Sequence, residues 1–271
     1  MTPAVALTIA GSDSSGGAGV QADLRTFAAL GVFGASAFAA LTAQNTREVR
    51  DVLPVPAAFV VAQVEAVLDD LDVRAVKTGM LATAEVVEAV AGLAAAGRLP
   101  SLVVDPVMVS SSGARLLEPS AERAYVELLL PYTRVLTPNL LEAQVLLGGS
   151  IDTLAEQREA ARALAALGPR VVVVKGGHAV ADADAGDDAV DVVRDADDEY
   201  ELRARRVATV NDHGTGCTFA SAVAARLALG DEVRAALHAA KAYVVRAVAG
   251  GAGWRLGAGH GPLDHFGWSA G

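Results

Sequence analysis

The sequence predicts an α/β fold built on a mostly parallel sheet, and three observations carry that prediction. Short apolar runs such as Val5–Ala10, Leu102–Asp105 and Val171–Val174 alternate with longer segments of helical period. Strands alternating with helices form βαβ units, whose parallel sheet is buried on both faces. Glycine-rich or polar segments follow these runs directly, at the carboxyl ends of strands, where such sheets bind ligands.

The elements follow in order. Val5–Ala10 is a buried strand, Val20–Leu30 a helix and Gly34–Leu41 a second strand. Val60, Val64, Val67, Leu68 and Leu71 share one helix face. Ala75–Thr78 is a short strand, and Thr83 can cap the helix carrying Val87, Val90 and Leu93, which Gly97 closes. Leu102–Asp105 is a strand, Ala121–Leu130 a helix and Val135–Thr137 a strand. Asn139 opens another helix, and Thr153 with Glu156 has capping-box spacing before a helix to Leu167. After the strand Val171–Val174 the pattern changes. Ala189–Val193 and Glu201–Val207 read as a hairpin or meander around an acidic loop, followed by helices Thr218–Leu229 and Asp231–Ala249. From Gly250 a glycine-rich tail has no clear period. With no linker, repeat or second core, residues 1–271 read as one domain.

Composition excludes several classes. Apolar residues are 52% and charged residues 20%, so a sizeable core forms and global disorder is excluded. Aromatics are only 4%, so Ala, Val and Leu must build that core. A net charge of −10 argues against nucleic acid or anionic lipid as a partner. One cysteine, Cys217, excludes an internal disulfide framework or a multi-Cys zinc site. The uncharged stretch from Phe27 to Ala43 is interrupted by Gly31 and Gly34 and reads as a helix, a break and a strand rather than a membrane span. The N-terminus lacks a basic leader, which predicts a cytoplasmic protein. Nine acids among the eighteen residues from Asp182 to Glu199, and only three lysines beside nineteen arginines, fit either a high-salt surface or genomic bias.

Five segments carry chemistry. Gly214-Thr215-Gly216-Cys217 leads straight into an Ala-rich helix. Glycines admit close backbone approach, and unpaired N–H groups with the helix dipole make an anion site suited to phosphate. Cys217 at that terminus should have a lowered pKa. The same segment can also be a plain glycine turn holding a small buried thiol. Gly11 to Gly19 follows the first strand and is neither a Walker loop nor a dinucleotide fingerprint, with Asp13 and Asp23 as nearby carboxylates. Asp105, Asn139 with Glu142, and Lys175-Gly176-Gly177-His178 stand at three further strand ends. Carboxylates such as Asp105 or Glu142 can hold Mg²⁺, usually through water, though each is also explained as a cap. His213 lies four residues before Cys217, but no group to orient it as a base is evident.

The run Ala6 to Leu24, with Leu41-Thr42-Ala43-Gln44-Asn45-Thr46, Lys77-Thr78-Gly79-Met80-Leu81, Val104-Asp105-Pro106-Val107-Met108, Leu136-Thr137-Pro138-Asn139, Lys175-Gly176-Gly177-His178, His213 to Cys217 and Gly259-His260-Gly261-Pro262, resembles the hydroxymethylpyrimidine/phosphomethylpyrimidine kinases of the ribokinase-like superfamily. The matches run from residue 5 to about 266. The resemblance implies a three-layer α/β/α fold with a central mostly parallel sheet. It implies an enzyme that uses ATP and Mg²⁺ to phosphorylate 4-amino-5-hydroxymethyl-2-methylpyrimidine and then its monophosphate, for thiamine diphosphate biosynthesis. It further implies Gln44 on the pyrimidine edge, Met80 on the ring, and Gly11 and Asp23 lining the pocket. Lys175, Gly176, Gly177 and Asn139 fall on the ATP side, Asp105 and Glu142 near Mg²⁺, and Gly214, Thr215, Gly216 and Cys217 at the transferring phosphoryl group. Thr78 and the acidic segment depart from the expected forms. Two alternatives stand beside this: a pyridoxal or pyridoxine kinase activity, and a non-catalytic pyrimidine sensor. Oligomeric state is open, a homodimer included.

Overall fold

The computed structural model describes residues 2–108, 119–177, 186–196 and 198–270. A nine-stranded sheet runs through them in the order β3-β2-β1-β4-β5-β6-β7-β8-β9. Its strands are β1 (Val5–Gly11), β2 (Phe33–Gln44), β3 (Val49–Pro54), β4 (Val73–Thr78), β5 (Val103–Val104), β6 (Val135–Leu136), β7 (Val171–Val174), β8 (Asp188–Asp195) and β9 (Asp198–Arg205). From β2 through β7 neighbours pair in parallel, while β3, β8 and β9 are antiparallel. Helices α1 (Gly19–Ala29), α7 (Thr215–Ala228) and α8 (Val233–Gly251) cover one face. The other face carries α2 (Ala57–Leu68), α3 (Ala84–Ala95), α4 (Pro119–Ala124), α5 (Leu140–Leu147) and α6 (Leu154–Ala165). The three-layer α/β/α ribokinase-like arrangement expected from the sequence is therefore present.

The valine strand shows why a parallel strand needs a continuous apolar run. Val172 and Val174 enter the core under α5 and α6, and Val171 and Val173 the core under α7 and α8. Side chains alternate across a strand, so both faces must be apolar where helices cover both. Local caps match the sequence: Thr83 accepts from Val86 N–H, and Asn139 and Thr153 each complete a capping box with Glu142 and Glu156.

Three differences have physical causes. β3 was not foreseen; it is an edge strand whose exposed Arg50, Asp51 and Leu53 give no buried apolar run. The expected helix over 121–130 is instead α4 followed by a π-turn and a 3-10 turn ending at Tyr132, where Pro131 lacks an N–H for continued helix. The acidic segment is partly strand: β8 and β9 carry Asp191, Asp198, Glu199 and Glu201 onto Lys241, Arg234, Arg162 and Arg158. Those acids meet cations rather than only one another; residues 178–185 and 197 lie outside the described set. Among the described residues no helix is long and apolar enough to cross a membrane.

The topology positions the site. From β1 the chain moves outward to β2 and β3, then returns to place β4 on the other side of β1. This reversal leaves a crevice beyond the carboxyl ends of β1 and β4, the place where open α/β sheets bind ligands.

Candidate active site

A cavity of about 470 Å³ occupies that crevice. The loop after β1 (Gly11, Ser12, Asp13), the end of β2 (Thr42, Gln44), the end of β4 (Lys77, Gly79, Met80) and the segment Asp212 to Cys217 line it. Two glycine contacts make the wall possible. Gly214 has φ +86°, and a Cβ there would overlap the carbonyl oxygen of Gly17. A Cβ on Gly11 would overlap the Cε of Met80. Gly214 must be glycine, because it passes against the backbone of the first loop with a positive φ; at Gly11 the atom met is the mobile end of the methionine, which can give way.

Gly214, Thr215, Gly216 and Cys217 all line the cavity, as expected. Gly214 caps α7; Thr215 N–H reaches Asp212 O at 3.2 Å and Thr218 N–H reaches Gly214 O at 2.8 Å. Between them the N–H groups of Gly216 and Cys217 have no backbone acceptor among the described residues. They form an anion-binding helix terminus. The lowered thiol pKa expected there is not found. The protein packed around the Cys217 sulfur desolvates it and pushes the thiol up to about 11, outweighing the Lys77 ammonium and the Gly19 N–H.

Gln44, Met80 and Gly11 also line the cavity, but Asp23 does not. Asp23 is fully buried beneath it, accepting from Thr8 Oγ1 at 2.6 Å, Ser221 Oγ at 2.6 Å and Lys77 Nζ at 2.9 Å. Burial alone would lower Lys77, yet the charges of Asp23 and Asp105 and the hydrogen bond to Asp23 raise it, so it stays an ammonium. Lys77, not Asp23, borders the cavity, and the sequence reading gave it no site role.

At the other end, Lys175 Nζ donates to Asp105 Oδ1 at 2.7 Å, and Thr137 Oγ1 to the same oxygen at 3.1 Å. Glu142 Oε2 accepts from Asn139 N–H at 2.7 Å. Burial pushes the Glu142 carboxyl up to about 7, Asp105 adding and Lys175 opposing. Two buried carboxylates that repel each other across one lysine suit a divalent cation, which commonly takes one or two protein carboxylates with water and phosphate oxygens. Among the described residues no group of three His, Cys, Asp or Glu could hold a metal alone. Asn139 and Gly177 line the cavity; Gly176 does not, and a Cβ there would overlap Val190 O. Gly176 is a packing glycine against β8, and His178 lies outside the described residues.

A second cavity of about 260 Å³ opens between β8–β9 and α8, and shares Lys175, Gly177, Asp212 and Thr215 with the first. Its remaining wall includes Arg206, Thr209, Phe219, Lys241 and Val244, none of them in a local motif. The sequence reading also missed the pair Asp13–His213. His213 Nε2 lies 2.8 Å from Asp13 Oδ2, and Gln44 Nε2 lies 3.4 Å from the same ring nitrogen. Burial would raise Asp13, but hydrogen bonds from His213, Ser15 and Ala18 N–H, with the His213 charge, bring it down to about 2. The orienting carboxylate that His213 lacked in the sequence is thus 200 positions away.

Comparison with known proteins adds the following. The family model for phosphomethylpyrimidine kinase matches residues 13–264. The chain is 49% identical to the hydroxymethylpyrimidine/phosphomethylpyrimidine kinase of Streptomyces coelicolor, over 100% of this chain and 97% of that protein. It is 47% identical to a thiamine biosynthesis bifunctional protein of Geobacter sulfurreducens, covering 96% of this chain and 52% of that one. A solved pyridoxal kinase from Staphylococcus aureus, in complex with AMP-PCP and pyridoxal, superposes with a TM-score of 0.88 at 36% identity, over 99% of this chain and 95% of that one.

Proposed function

The chain belongs to the phosphomethylpyrimidine kinase family, and on that premise we propose how its cavities divide the work. The enzyme phosphorylates 4-amino-5-hydroxymethyl-2-methylpyrimidine, and then the monophosphate, with ATP as co-substrate, for thiamine biosynthesis. The whole chain acts as one kinase domain. The observation that carries our assignment is the pair of cavities meeting at the start of α7. The larger takes the pyrimidine, with Gln44 on its polar edge and Met80 and Gly11 against the ring. The smaller takes the nucleoside, and the phosphates run between them past Lys175, Gly177 and Asn139.

Phosphoryl transfer depends on positioning and charge neutralisation more than on covalent help. The N–H groups of Gly216 and Cys217 face the transferring group, where fixed dipoles act at no reorganisation cost. Lys175 releases Asp105 to meet phosphate oxygens. Asp105 and Glu142 would hold Mg²⁺, which supplies charge neutralisation to the phosphates when bound. Cys217 keeps its proton at neutral pH, so the hydroxyl proton passes late to a phosphate oxygen rather than to the thiol. This reading takes the enzyme as cytoplasmic, where its nucleotide is, and as a homodimer through the β2–β3 edge, where the cross-strand pair Leu41 and Leu53 is exposed.

Pyrimidine-dependent ADP release from the pure protein tests the assignment. Release that requires the pyrimidine and is abolished in Lys175→Met supports it; binding without release would make the protein a sensor. A second activity on pyridoxal is favoured by the likeness to pyridoxal kinase, and the same assay with pyridoxal measures it.

A further inference from the structure

The tail segment Gly259-His260-Gly261-Pro262 forms no part of the cavity walls: no residue from 257 to 262 lines either cavity. It lies behind them, wedged between two segments that lead from the walls. On one side is the turn between β2 and β3, which begins one residue after Gln44. Thr46 Oγ1 accepts from Ala258 N–H and Gly259 N–H, each at 3.2 Å, and Thr46 O accepts from His260 N–H at 2.9 Å. On the other side is the segment entering the anion-binding terminus of α7. Gly261 O accepts from His213 N–H at 3.1 Å, and His260 Nδ1 lies 2.7 Å from Asp212 Oδ1. The Asp212 carboxylate can only accept, so Nδ1 carries the proton between them. Backbones touch at both faces: a Cβ on Gly259 would overlap Thr46 O, and one on Gly261 would overlap Asn211 Oδ1. Beyond Pro262 the tail is anchored, with Leu263, Asp264 and His265 buried and Asp264 N–H on Ala247 O of α8 at 2.9 Å.

His260 thus touches both walls, its backbone on the turn after Gln44 and its ring on the residue before His213. The loop after β1 joins the same two segments from the front, Ser14 Oγ donating to Gln44 O at 2.7 Å and Asp13 Oδ2 lying 2.8 Å from His213 Nε2. Each wall also has support of its own. Gln44 N–H donates to Ser14 Oγ at 2.8 Å, and Asp212 O accepts from Thr215 N–H at 3.2 Å. What the tail adds is the spacing between the walls. Phosphoryl transfer depends on that spacing, because misplacing the acceptor against the transferring group costs rate even where both substrates bind. We propose that residues 257–262 clasp the two walls together from behind, and that Thr46 and His260 are positioning residues for phosphoryl transfer. The inference rests on the kinase reading and extends it to a segment outside the cavity.

Single and double variants of Thr46 and His260 test the clasp, with kcat counted per site titrated by AMP-PCP so that unfolded chains do not enter. Thr46→Val removes the acceptor of two N–H groups, and His260→Ala removes the bond to Asp212. Each should lower kcat about five- to thirtyfold, with the KM for pyrimidine and for ATP moving less than about threefold. Thr46→Ser keeps the hydroxyl and His260→Asn keeps a donor in the place of Nδ1, so both should restore most of kcat. The double variant Thr46→Val/His260→Ala should be little worse than the worse single variant, because either change opens the same clasp. Unchanged kcat in both single variants overturns the proposal and leaves the kinase reading standing. Multiplying effects in the double variant, or no rescue by Ser and Asn, also overturn it, and the tail then serves only to pack. A raised KM with kcat kept overturns it too, since the tail would then act on binding. Wild-type protein that does not phosphorylate the aminopyrimidine brings down the kinase reading and the clasp with it. His260 is exposed, so its variants carry the test if Thr46→Val does not fold.

Discussion

Two lysine–carboxylate pairs stand at the two ends of the cavity and are built for opposite ends. Lys77 and Asp23 have no exposed side-chain surface, and Thr8 and Ser221 fill the remaining acceptor sites of the carboxylate. Lys175 and Asp105 keep 12% and 2% of theirs, and Lys175 opens onto both cavities. A sealed pair cannot exchange partners without unfolding its surroundings. An edge pair can trade its carboxylate for an incoming phosphate. The contrast teaches that a buried charge at the wall of a site is not thereby free to exchange partners: Lys77 borders the cavity but has no exposed side-chain surface, whereas Lys175 has some.

The largest expected effect breaks the sealed pair. Asp23→Ala leaves a buried ammonium without its partner, which costs about 3–5 kcal/mol. A denaturant melt should show that loss. The double variant Asp23→Leu/Lys77→Met should recover most of it, since apolar replacement of a whole buried pair is often neutral. Breaking the open pair should cost catalysis instead. Lys175→Met should lower kcat by about 10²–10³, the scale of one lost electrostatic contact to a transition state, with a smaller shift in melting temperature. Equal destabilisation by both single variants would erase the contrast.

Glu142 sharpens it through pH. Its folded pKa lies above the unfolded value, so the protonated form is favoured in the fold. The stability it contributes is present below the unfolded value and lost as pH rises through about 7. Glu142→Gln keeps an acceptor for the Asn139 N–H and removes the charge. It should raise the melting temperature of the ligand-free protein at about pH 8, leave it nearly unchanged at about pH 5, and lower kcat. The smallest effect concerns Thr78, next in sequence to Lys77, whose buried Oγ1 has no partner among the described residues. Thr78→Val should change stability by less than about 1 kcal/mol, in either direction. A larger loss would mean that the hydroxyl serves the sealed pair.

What could be read before folding depended on whether a feature is local. Gly214 to Cys217, Gly11 and the Asn139–Glu142 cap are contiguous, and their chemistry follows from short spacing. Gln44 and Met80 entered through family likeness, since neither has a local signature. Asp23 was misplaced because a carboxylate near a glycine loop can face into or beneath it, and only the docking of Ser221 and Lys77 decides which. Cys217 was misjudged because the helix terminus is visible in sequence and the desolvating packing is not. The second cavity was illegible altogether. Arg206, Thr209, Phe219 and Lys241 come from a strand end, a loop and two helices, and no period joins them. In the fold, β3 was hidden by its exposure for the same reason that β7 was plain: a strand is announced by what it buries.

The bonds from Asp13 to His213 and from Asp23 to Ser221 join residues 200 and 198 positions apart. On a ribosome adding about 5–20 residues per second, the early strands wait roughly 10–40 s for those partners. Through that interval Asp23 and Lys77 have only each other and Thr8, and the glycine loop after β1 is held to β2 through Ser12 and Ser14 but lacks His213. The docking of α7 and the segment before it onto the finished sheet is thus also the step that makes the catalyst. A nascent chain stalled before α7 carries the whole pyrimidine-facing half of the pocket yet cannot hold it shut.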